Sequence, residues 1–416
     1  MGAPSAAQAG TSGVVIIGAG QAGYQTAESL RQSGYEHPIT LLGAEPHSPY
    51  SRPPLSKAYL LGETDQERLL FRAPAFYTDR NIDLRLNCTV AAIDRAAKTV
   101  TLAEGETLGY DHLVIATGAT PRILPLPGAE LEGVYSLKTL ADVEQIEAAL
   151  PGIESVAVIG AGFIGLEFAA VARKLGKAVT VLEAAPRVMG RVVPPELSAF
   201  FEAEHRAQDV TLHCEVRIEA LLPGEDGRLG SIQLADGSQV PAQMVIVGIG
   251  VTPNVGLAEA AGLACDNGIL VNDRCQTDDP AIFAAGDCAS SAHPFAGGQI
   301  RLESVQNASD QGKVIASVIT GGDKRNDIVP WFWSDQYDLK LQMAGLHAGC
   351  DHAVMRGNPE DRKFSIFHFR GTELRAVDSV NRPSDHIQGR KLMTAGVSPS
   401  PEQAADPAFK LTSLLK

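Results

Sequence analysis

The chain has 416 residues, of which 44% are hydrophobic, and its mean hydropathy is near zero, so we expect a globular protein of two or three domains. Aspartate and glutamate outnumber lysine and arginine by 49 to 35, and the net charge of −14 argues against nucleic acid or an anionic membrane as a partner. No apolar run reaches the length of a bilayer span and the N-terminus does not resemble a signal peptide, so we expect a cytoplasmic protein without a membrane anchor.

The first motif follows residues 1–12, which we expect to be a flexible tail. In VVIIGAGQAGYQ, residues 14–25, an apolar strand leads into G-x-G-x-x-G and then a helix. Gly18 makes the tight turn, Gly20 lets the backbone approach a pyrophosphate, and Gly23 lets the helix pack closely on the strand. One such motif is weak evidence for a nucleotide site.

The same motif occurs again in VAVIGAGFIGLE, residues 156–167, where Gly160, Gly162 and Gly165 take the same three positions. Each following helix is expected to end at a glycine in the left-handed conformation, Gly34 or Gly176. Two complete units in one chain are strong evidence for two nucleotide sites.

Both units also carry an acid near the end of their second strand. Glu45 closes PITLLGAE and Glu183 lies in KAVTVLEA. A carboxylate at this place can accept both hydrogen bonds of an adenosine ribose.

A further parallel predicts that one unit is inserted in the other. HLVIATGATPR (112–122) and MVIVGIGVTPN (244–254) are each an apolar strand followed by glycine and proline. We therefore expect a first domain from residues 13–118 and 249–328, and an inserted domain from residues 119–248.

The segment that returns to the first domain contains CQTDDPAIFAAGDCA, residues 275–289. Asp287 is expected to end a strand and open a helix, where its carboxylate can bind polyol hydroxyls and the helix N-terminus can bind phosphate. A lone Gly-Asp pair is usually just a turn. A later helix is expected to begin near Ser304 and end at Gly321.

A third domain, residues 329–416, is predicted to be α+β. Four segments alternate like antiparallel strands: DLKLQMAGL, HAVMRG, KFSIFHFRG and ELRAVDSVN. SDHIQGRKLMTAG then indicates a capped helix, and residues 398–407 a polar linker to a short terminal helix. Trp331 and Trp333 open this domain, either as interdomain core, which we slightly favour, or with Trp333 shielding the edge of a bound cofactor and facing a partner.

The six cysteines form no C-x-x-C pair. This spacing excludes a thioredoxin-type disulfide, a zinc ribbon and a ferredoxin-like cluster, so we expect reduced thiols and no metal site.

The paired units together with Asp287 resemble the two-dinucleotide-binding flavoproteins, in which one unit holds FAD and the other NAD(P)H. RPPLSKAYL (52–60), PWFWSDQYDLKLQMAGL (330–346) and VDSVNRP (377–383) resemble the NADH-dependent ferredoxin reductases of oxygenase systems, the group of putidaredoxin reductase. The similarity covers nearly the whole chain. Disulfide reductases carry reactive cysteines near the end of the first unit, whereas PYSRPPLSK has none, so thiol chemistry is not expected.

The resemblance implies FAD in the first domain. It places Lys57 beside the flavin, Val90 along the adenine, Asp287 on the ribityl chain and Val305 at the pyrimidine edge. Lys138 stands where relatives usually have arginine, so the charge is kept but the bidentate fork is lost. The complete expected set is Gly18, Gly20, Ala22, Gly23, Glu45, Arg52, Lys57, Val90, Ala116, Thr117, Gly118, Lys138, Asp287, Val305 and Trp333.

The resemblance also implies NADH in the inserted domain. The expected contacts are Gly160, Gly162, Ile164 and Gly165 at the pyrophosphate, Glu183 at the ribose and Gly250 near the nicotinamide. Glu167 has two interpretations: an ion pair with Lys57 at the flavin edge, or a first-turn acid that complements the helix dipole. We name Lys57 and Glu167 as the candidate catalytic residues.

The expected activity is hydride transfer from NADH to FAD, followed by single-electron transfer to a [2Fe-2S] ferredoxin that serves a monooxygenase or dioxygenase. Alternatives are a rubredoxin reductase, a flavoprotein that reduces oxygen or quinone, or a flavin-bearing signalling protein, which the negative charge disfavours. Glu183 should repel the 2′-phosphate of NADPH, although Arg187 and Arg191 lie close to it in sequence.

Docking of an acidic ferredoxin on this acidic chain requires a local basic surface. Candidates around Trp333 are Lys313, Arg390, Lys391 and Lys410, with only one of the adjacent Arg390 and Lys391 expected to take part.

Overall fold

The computed structural model describes residues 12–415, so the predicted tail, apart from Ser12, lies outside the described residues. The chain up to residue 121 alternates strands and helices around the first glycine motif. In order, it forms β1 (Val14–Ile17), α1 (Gln21–Gln32), β2 (Ile39–Leu42), a 3₁₀ turn (Pro53–Ser56), α2 (Gln66–Leu69), α3 (Pro74–Asp79), β3 (Ile82–Arg85), β4 (Val90–Asp94), β5 (Thr99–Leu102), β6 (Thr107–Gly109), β7 (His112–Ile115) and β8 (Ala119–Pro121).

The second unit surrounds the second glycine motif. It comprises β9 (Val134–Tyr135), α4 (Leu140–Ala149), β10 (Ser155–Ile159), α5 (Phe163–Lys174), β11 (Ala178–Leu182), α6 (Pro195–Ala207), β12 (Val210–His213), β13 (Ile218–Pro223), β14 (Leu229–Leu234), β15 (Gln239–Pro241), β16 (Met244–Val247) and β17 (Val251–Pro253).

The remaining chain returns to the first unit and then forms a separate sheet. Its elements are α7 (Gly256–Ala260), β18 (Ile269–Val271), β19 (Ile282–Ala284), a 3₁₀ turn (Gly286–Cys288), β20 (Ala289–His293), β21 (Gly298–Ile300), α8 (Val305–Ile319), β22 (Trp331–Gln336), β23 (Leu339–Gly345), β24 (His352–Asn358), a 3₁₀ turn (Pro359–Asp361), β25 (Lys363–Arg370), β26 (Glu373–Val380), α9 (Pro383–Thr394), α10 (Pro401–Ala405) and a 3₁₀ turn (Leu411–Leu415).

Two parallel sheets of five strands carry the two glycine motifs. The first has the order β19-β7-β1-β2-β3 and the second the order β12-β11-β10-β16-β9. The late strand β19 pairs with β7, so the first sheet is completed only after the second unit has been made. This nested arrangement agrees with the predicted α/β fold.

The chain crosses between the two units on a pair of adjacent strands. β8 leads out of the first unit, β17 leads back, and the two pair antiparallel, with Thr120 opposite Thr252. The domain boundaries at residues 118, 248 and 328 stay predictions.

The helices of the first unit pack closely because α8 lies directly on α1. A Cβ at Gly312 would be 3.0 Å from the backbone nitrogen of Thr26, so only glycine permits this approach without a shift. Gly34 and Gly176 follow α1 and α5 with φ of +79° and +78°, as predicted for helix ends. The N-terminus of α8 is capped by Ser304, whose hydroxyl accepts from the amide of Asn307.

The C-terminal sheet is antiparallel, with the order β22-β23-β26-β25-β24. Strands β23, β24, β25 and β26 and helix α9 agree with the prediction from the sequence. The interpretation of residues 398–407 as a linker is wrong in part, because α10 begins there with a capping box between Ser400 and Gln403. The terminal helix is a 3₁₀ turn, and Lys410 precedes it. Across residues 12–415, no helix combines the length and apolar character needed to cross a bilayer.

Candidate active site

The first glycine turn leaves an open space at the start of α1. Gly18 has φ of +109°, and a Cβ on it would lie 2.2 Å from the carbonyl oxygen of Ala116. A Cβ on Gly23 would lie 1.9 Å from the carbonyl oxygen of Gly18, whereas nothing lies within 4 Å of a Cβ on Gly20. The first and third glycines are thus required by the protein itself, and the second faces free space.

The second turn has the same geometry. A Cβ would lie 2.5 Å from the carbonyl oxygen of Gly248 at Gly160, and 2.2 Å from that of Gly160 at Gly165. Nothing lies within 4 Å of a Cβ at Gly162, which caps α5 without a side-chain hydrogen bond. Both helices therefore direct N–H groups into open space, and a dinucleotide pyrophosphate fits each turn.

The two acids of the nucleotide units are not equivalent. Leu42 is level with Ile17 in the first sheet, and Leu182 is level with Ile159 in the second. The position that corresponds to Glu183 in the first unit is therefore Gly43, and Glu45 lies two residues further along the chain.

Glu183 is anchored at the second glycine turn. Its carboxylate accepts from the amide of Ala161 over 2.6 Å and from that of Ala185 over 2.8 Å. Glu45 instead accepts from the Tyr50 hydroxyl over 2.6 Å and forms an ion pair with Arg52 over 2.5 Å. A contact of Glu45 with a ribose stays a prediction.

Lys138 lies between Arg52 and Asp287 and contacts both residues. Arg52 donates to the carbonyl oxygen of Lys138 over 3.0 Å, and the ammonium group of Lys138 lies 3.7 Å from the Asp287 carboxylate. Burial lowers the pKa of Lys138 and raises the pKa of Asp287, and their mutual attraction opposes both shifts. This half-buried pair has the hydrogen-bonding capacity that a polyol chain needs.

The helix expected after Asp287 is absent. Residues Gly286–Cys288 form a 3₁₀ turn, and the chain continues as β20, because Ala289 to Ser291 pair with β18. The short turn is held against α8, since the amide of Gly286 donates to Gln311 Oε1 over 2.8 Å. The long helix that begins beside this turn is α8, with Val305 as its first residue.

The other expected FAD contacts lie around the first sheet. Val90 and Ala116 are each 7% exposed, and Ala22 is 6% exposed. The Thr117 hydroxyl donates to the carbonyl oxygen of Asn254, which ties the end of β7 to the return strand. The roles of these side chains toward FAD stay predictions, as does that of Gly118.

Lys57 and Glu167 meet between the two nucleotide units. Lys57 Nζ lies 2.6 Å from Glu167 Oε2, and the glutamate side chain is only 5% exposed. Glu167 is the fifth residue of α5, so its alternative interpretation as a first-turn acid is wrong. The ion pair predicted from the resemblance is present.

Two serines also bind this carboxylate and were not predicted. Ser56 donates to Oε2 and Ser334 to Oε1, each over 2.7 Å. Ser334 lies in β22, where it and Gln336 occupy inward positions and are buried. Polar residues at alternate, inward positions of a strand are the signal that could have identified them.

The aromatic residues of β22 form a partly exposed surface. The ring centroids of Trp331 and Trp333 are 5.4 Å apart, and both side chains are half-buried. Trp331 also packs against the hydrophobic core of the C-terminal domain, so both interpretations of this pair stay predictions. The guanidinium of Arg390 lies 4.9 Å from the centre of the Trp331 ring.

The basic docking candidates differ in solvent exposure and in their contacts. Lys313 is exposed and lies 3.1 Å from Asp310, whereas Lys391 and Lys410 are exposed on or beyond α9. Arg390 is partly buried on Trp331, so the adjacent Arg390 and Lys391 point in different directions, as predicted.

Arginines also border the second nucleotide unit. The guanidinium of Arg187 donates to the carbonyls of Gly190 and Val193 and to Ser198, so three of its hydrogen bonds lie within the protein. A guanidinium nitrogen of Arg191 lies 3.6 Å from the position of a Cβ on Gly250. Ile164 beside the open turn is 45% exposed, an apolar surface that a bound nucleotide could cover.

The six cysteines are free thiols, and burial raises the pKa of each one. A raised pKa keeps the thiol protonated and therefore a poor nucleophile. Within residues 12–415, no cluster of three or more His, Cys, Asp or Glu side chains is placed to hold a metal ion.

Comparison with protein families identifies the two parts of the chain. Residues 12–312 match the pyridine nucleotide-disulphide oxidoreductase family, and residues 331–415 match a reductase C-terminal domain. The chain belongs to the pyridine nucleotide-disulphide oxidoreductase family. The resemblance inferred from the sequence is thus confirmed.

Individual relatives cover nearly the whole chain. Rhodocoxin reductase of Rhodococcus erythropolis is 46% identical over 96% of this chain and 93% of its own length. The crystal structure of a ferredoxin reductase for the CYP199A2 system from Rhodopseudomonas palustris has a TM-score of 0.94 at 46% identity and covers 97% of this chain and 99% of its own.

A solved complex with a partner protein is also similar. The covalent putidaredoxin reductase–putidaredoxin complex has a TM-score of 0.94 at 40% identity and covers 97% of this chain and 98% of its own. These likenesses confirm the predicted fold, with two nested nucleotide-binding units and a C-terminal α+β domain. The family uses FAD and NAD(P)H. The two open turns, at Gly20 and Gly162, provide space for two dinucleotides, one in each turn.

The open glycines provide a direct test of this fit. Alanine at Gly162 meets no atom within 4 Å, and the backbone there is extended, so Gly162→Ala should fold with an unchanged Tm. We expect its KM for NADH to rise at least about tenfold, because the new methyl group occupies the space of the pyrophosphate. Gly20→Ala should instead lower the FAD content of the purified protein. Gly256→Ala, at an equally open glycine on α7, is the control and should change neither quantity.

Proposed function

We propose that this protein is an NADH-dependent ferredoxin reductase that carries FAD and passes electrons to a [2Fe-2S] ferredoxin of an oxygenase system. The observation that carries the proposal is the Lys57–Glu167 ion pair, 2.6 Å long, which joins a residue of the first nucleotide unit to a residue of the second. It lies where two dinucleotides, one in each turn, would bring their reactive rings together.

Bound FAD would supply the redox chemistry, by taking a hydride from NADH and giving up single electrons. The protein then needs no nucleophile, and its contribution is alignment and charge. Lys57 would hold a positive charge at the reacting edge, and Glu167 would fix the direction of that charge. Asp287 and Lys138 would hold the polyol chain, and the N-terminus of α8 at Val305 would direct its positive end to the pyrimidine edge.

Preference for NADH follows from the second nucleotide unit. The Glu183 carboxylate is fixed by two amides at the place where the adenosine ribose would lie, and a 2′-phosphate there would be repelled. The Arg187 guanidinium is turned toward Gly190, Val193 and Ser198, which hold it in place but leave its charge unpaired. Arg191 and Arg122 are further cations, both close to Gly250.

The ferredoxin would dock on the surface formed by β22, α8 and α9. The chain carries a net charge of −14, so encounter with an acidic partner requires a local excess of lysine and arginine. Lys313, Lys391 and Lys410 are exposed around this surface, and Trp333 lies within it. Arg390 would act mainly by packing, since its guanidinium covers Trp331. We place the protein in the cytoplasm.

The proposed activity can be tested on purified protein. We expect a yellow protein with one non-covalent FAD per chain, bleached by NADH and reoxidised rapidly by a [2Fe-2S] ferredoxin from a panel of acceptors. Alkylation of the cysteines, with FAD still bound, should leave turnover unchanged, because burial keeps the thiols protonated. Faster turnover with rubredoxin, quinone or oxygen than with every ferredoxin would contradict the proposal.

Coenzyme choice can be tested at Glu183. Glu183→Gln removes the charge but keeps an acceptor, and we expect the ratio of kcat/KM for NADH over NADPH to fall about tenfold, equivalent to ~1.4 kcal/mol of repulsion. Glu196→Gln removes an exposed charge from the first turn of α6 and should leave the ratio unchanged. Equal kcat/KM values for the two coenzymes in the unmodified enzyme would show that Arg187 or Arg191 overrides Glu183.

The docking surface can be tested by charge reversal at exposed lysines. Lys313→Glu combined with Lys391→Glu should raise the KM for ferredoxin about tenfold and flatten its salt dependence. Turnover with ferricyanide should be unchanged, because it needs no docking surface. Lys340→Glu, at an exposed position of β23 far along the hairpin from Trp331, is the matched control. Ferredoxin kinetics that ignore both the double reversal and the ionic strength would contradict this surface.

A further inference from the structure

A chain of hydrogen bonds extends from the Glu167 carboxylate into the C-terminal domain. Ser334 Oγ donates to Glu167 Oε1 over 2.7 Å, and Gln336 Nε2 lies 3.3 Å from the same Oγ. Gln336 Oε1 lies 2.8 Å from His205 Nε2, and the Tyr337 hydroxyl lies 3.0 Å from His205 Nδ1. Ser334 and His205 are 0% exposed and Gln336 is 1% exposed, so bulk solvent does not reach these three side chains, whereas Tyr337 at the far end is half-buried.

The donors in this chain all point toward Glu167. The single hydrogen of Ser334 is used on the carboxylate, so its oxygen accepts from the amide nitrogen of Gln336. The Gln336 carbonyl is left to accept from His205 Nε2, and His205 Nδ1 then accepts from the hydroxyl of Tyr337. Burial lowers the pKa of His205, which keeps the ring neutral with the one proton that this order requires.

The two carboxylate oxygens have different support. Oε2 receives Lys57 and Ser56, both from the segment before α2. Oε1 receives Ser334, which belongs to β22 of the C-terminal domain. Loss of Ser334 would therefore leave one oxygen of a buried carboxylate without this donor and free the group to rotate about its bond.

We propose that Ser334 and Gln336 are positioning residues that hold Glu167 anionic and correctly turned for its pairing with Lys57. The inference rests on the proposed function and deepens it. The C-terminal domain then has two tasks: it offers a surface to the partner, and it completes the site at which NADH and FAD would react.

Charged groups face this chain of hydrogen bonds at its two ends. Lys57 faces the carboxylate itself, and Arg173 and Glu204 act on Tyr337 at the far end. His205 and Tyr337 are the titratable links, and burial raises the pKa of Tyr337, so both are neutral near pH 7. A change of pH around neutrality therefore leaves the order of donors in this chain of hydrogen bonds unchanged.

The test compares Ser334→Ala with Ser334→Thr, which retains a hydroxyl. Two quantities are measured against pH: the rate at which NADH bleaches bound FAD without an acceptor, and the midpoint potential of that FAD by dye equilibration. In Ser334→Ala a proton competes about tenfold better for the carboxylate, so the acid limb of the rate should move up by about one pH unit. The midpoint potential should become more positive in that range, because the charge of Lys57 is no longer balanced. Ser334→Thr should restore both.

A buried serine elsewhere in the same sheet supplies the control. Ser365 is 0% exposed and donates to the Asp385 carboxylate over 3.0 Å, so Ser365→Ala removes a comparable bond. It should lower the Tm without moving the acid limb or the potential. An unmoved acid limb and potential in Ser334→Ala, with a similar loss of Tm, would overturn the proposal.

Two further outcomes also test the proposal: failure of the alanine variant to fold, and failure of NADH to bleach the unmodified protein. Where the alanine variant does not fold, Ser334→Cys keeps a weak donor of similar size and should shift both quantities in the same direction by less; unshifted values there also overturn the proposal. Failure of NADH to bleach the unmodified protein would count against the proposed function instead, since the potential can still be measured by chemical reduction.

Discussion

The structure depends on placing a carboxylate where three parts of the chain meet. A buried charge is tolerated only when it is paired and hydrogen-bonded, and Glu167 receives Lys57 and Ser56 from the first unit and Ser334 from the C-terminal sheet. The helix that carries it begins at the second glycine turn. Through Glu167, the position of the second nucleotide site relative to the first is therefore coupled to the position of the C-terminal domain.

Nesting of the two units connects the second unit to the first at both of its ends. The first sheet is complete only when β19 pairs with β7, after the chain has made the second unit and crossed back on β17 beside β8. The second unit is thus connected to the first at both of its ends, through one antiparallel strand pair. Alignment of two reactants is most useful when it is fixed in advance, and a double connection restricts where the second unit can lie.

Spacing predicted the features that depend on local backbone geometry. The glycines of both turns, the helix ends at Gly34 and Gly176, and four strands of the C-terminal sheet follow from steric rules that act over a few residues. Composition shows an acid after the second strand of each unit but does not show the register: Glu45 lies three residues after the end of β2, and Glu183 one residue after the end of β11. The helix predicted after Asp287 is absent for a similar reason. The residues that follow Asp287 form β20, which pairs with β18, and this pairing cannot be seen in the local sequence.

Ser334 shows why the site itself was only partly predictable. Its donation to Glu167 joins residues far apart in sequence, and no local pattern reports such a contact. The alternation of β22 does report that Ser334 and Gln336 turn inward, and a buried hydroxyl or amide needs a partner. The family is named for disulphide chemistry, yet burial raises the pKa of every thiol here. A lysine, two serines and a glutamate occupy the junction of the domains instead, an arrangement suited to holding charge rather than to forming a covalent bond.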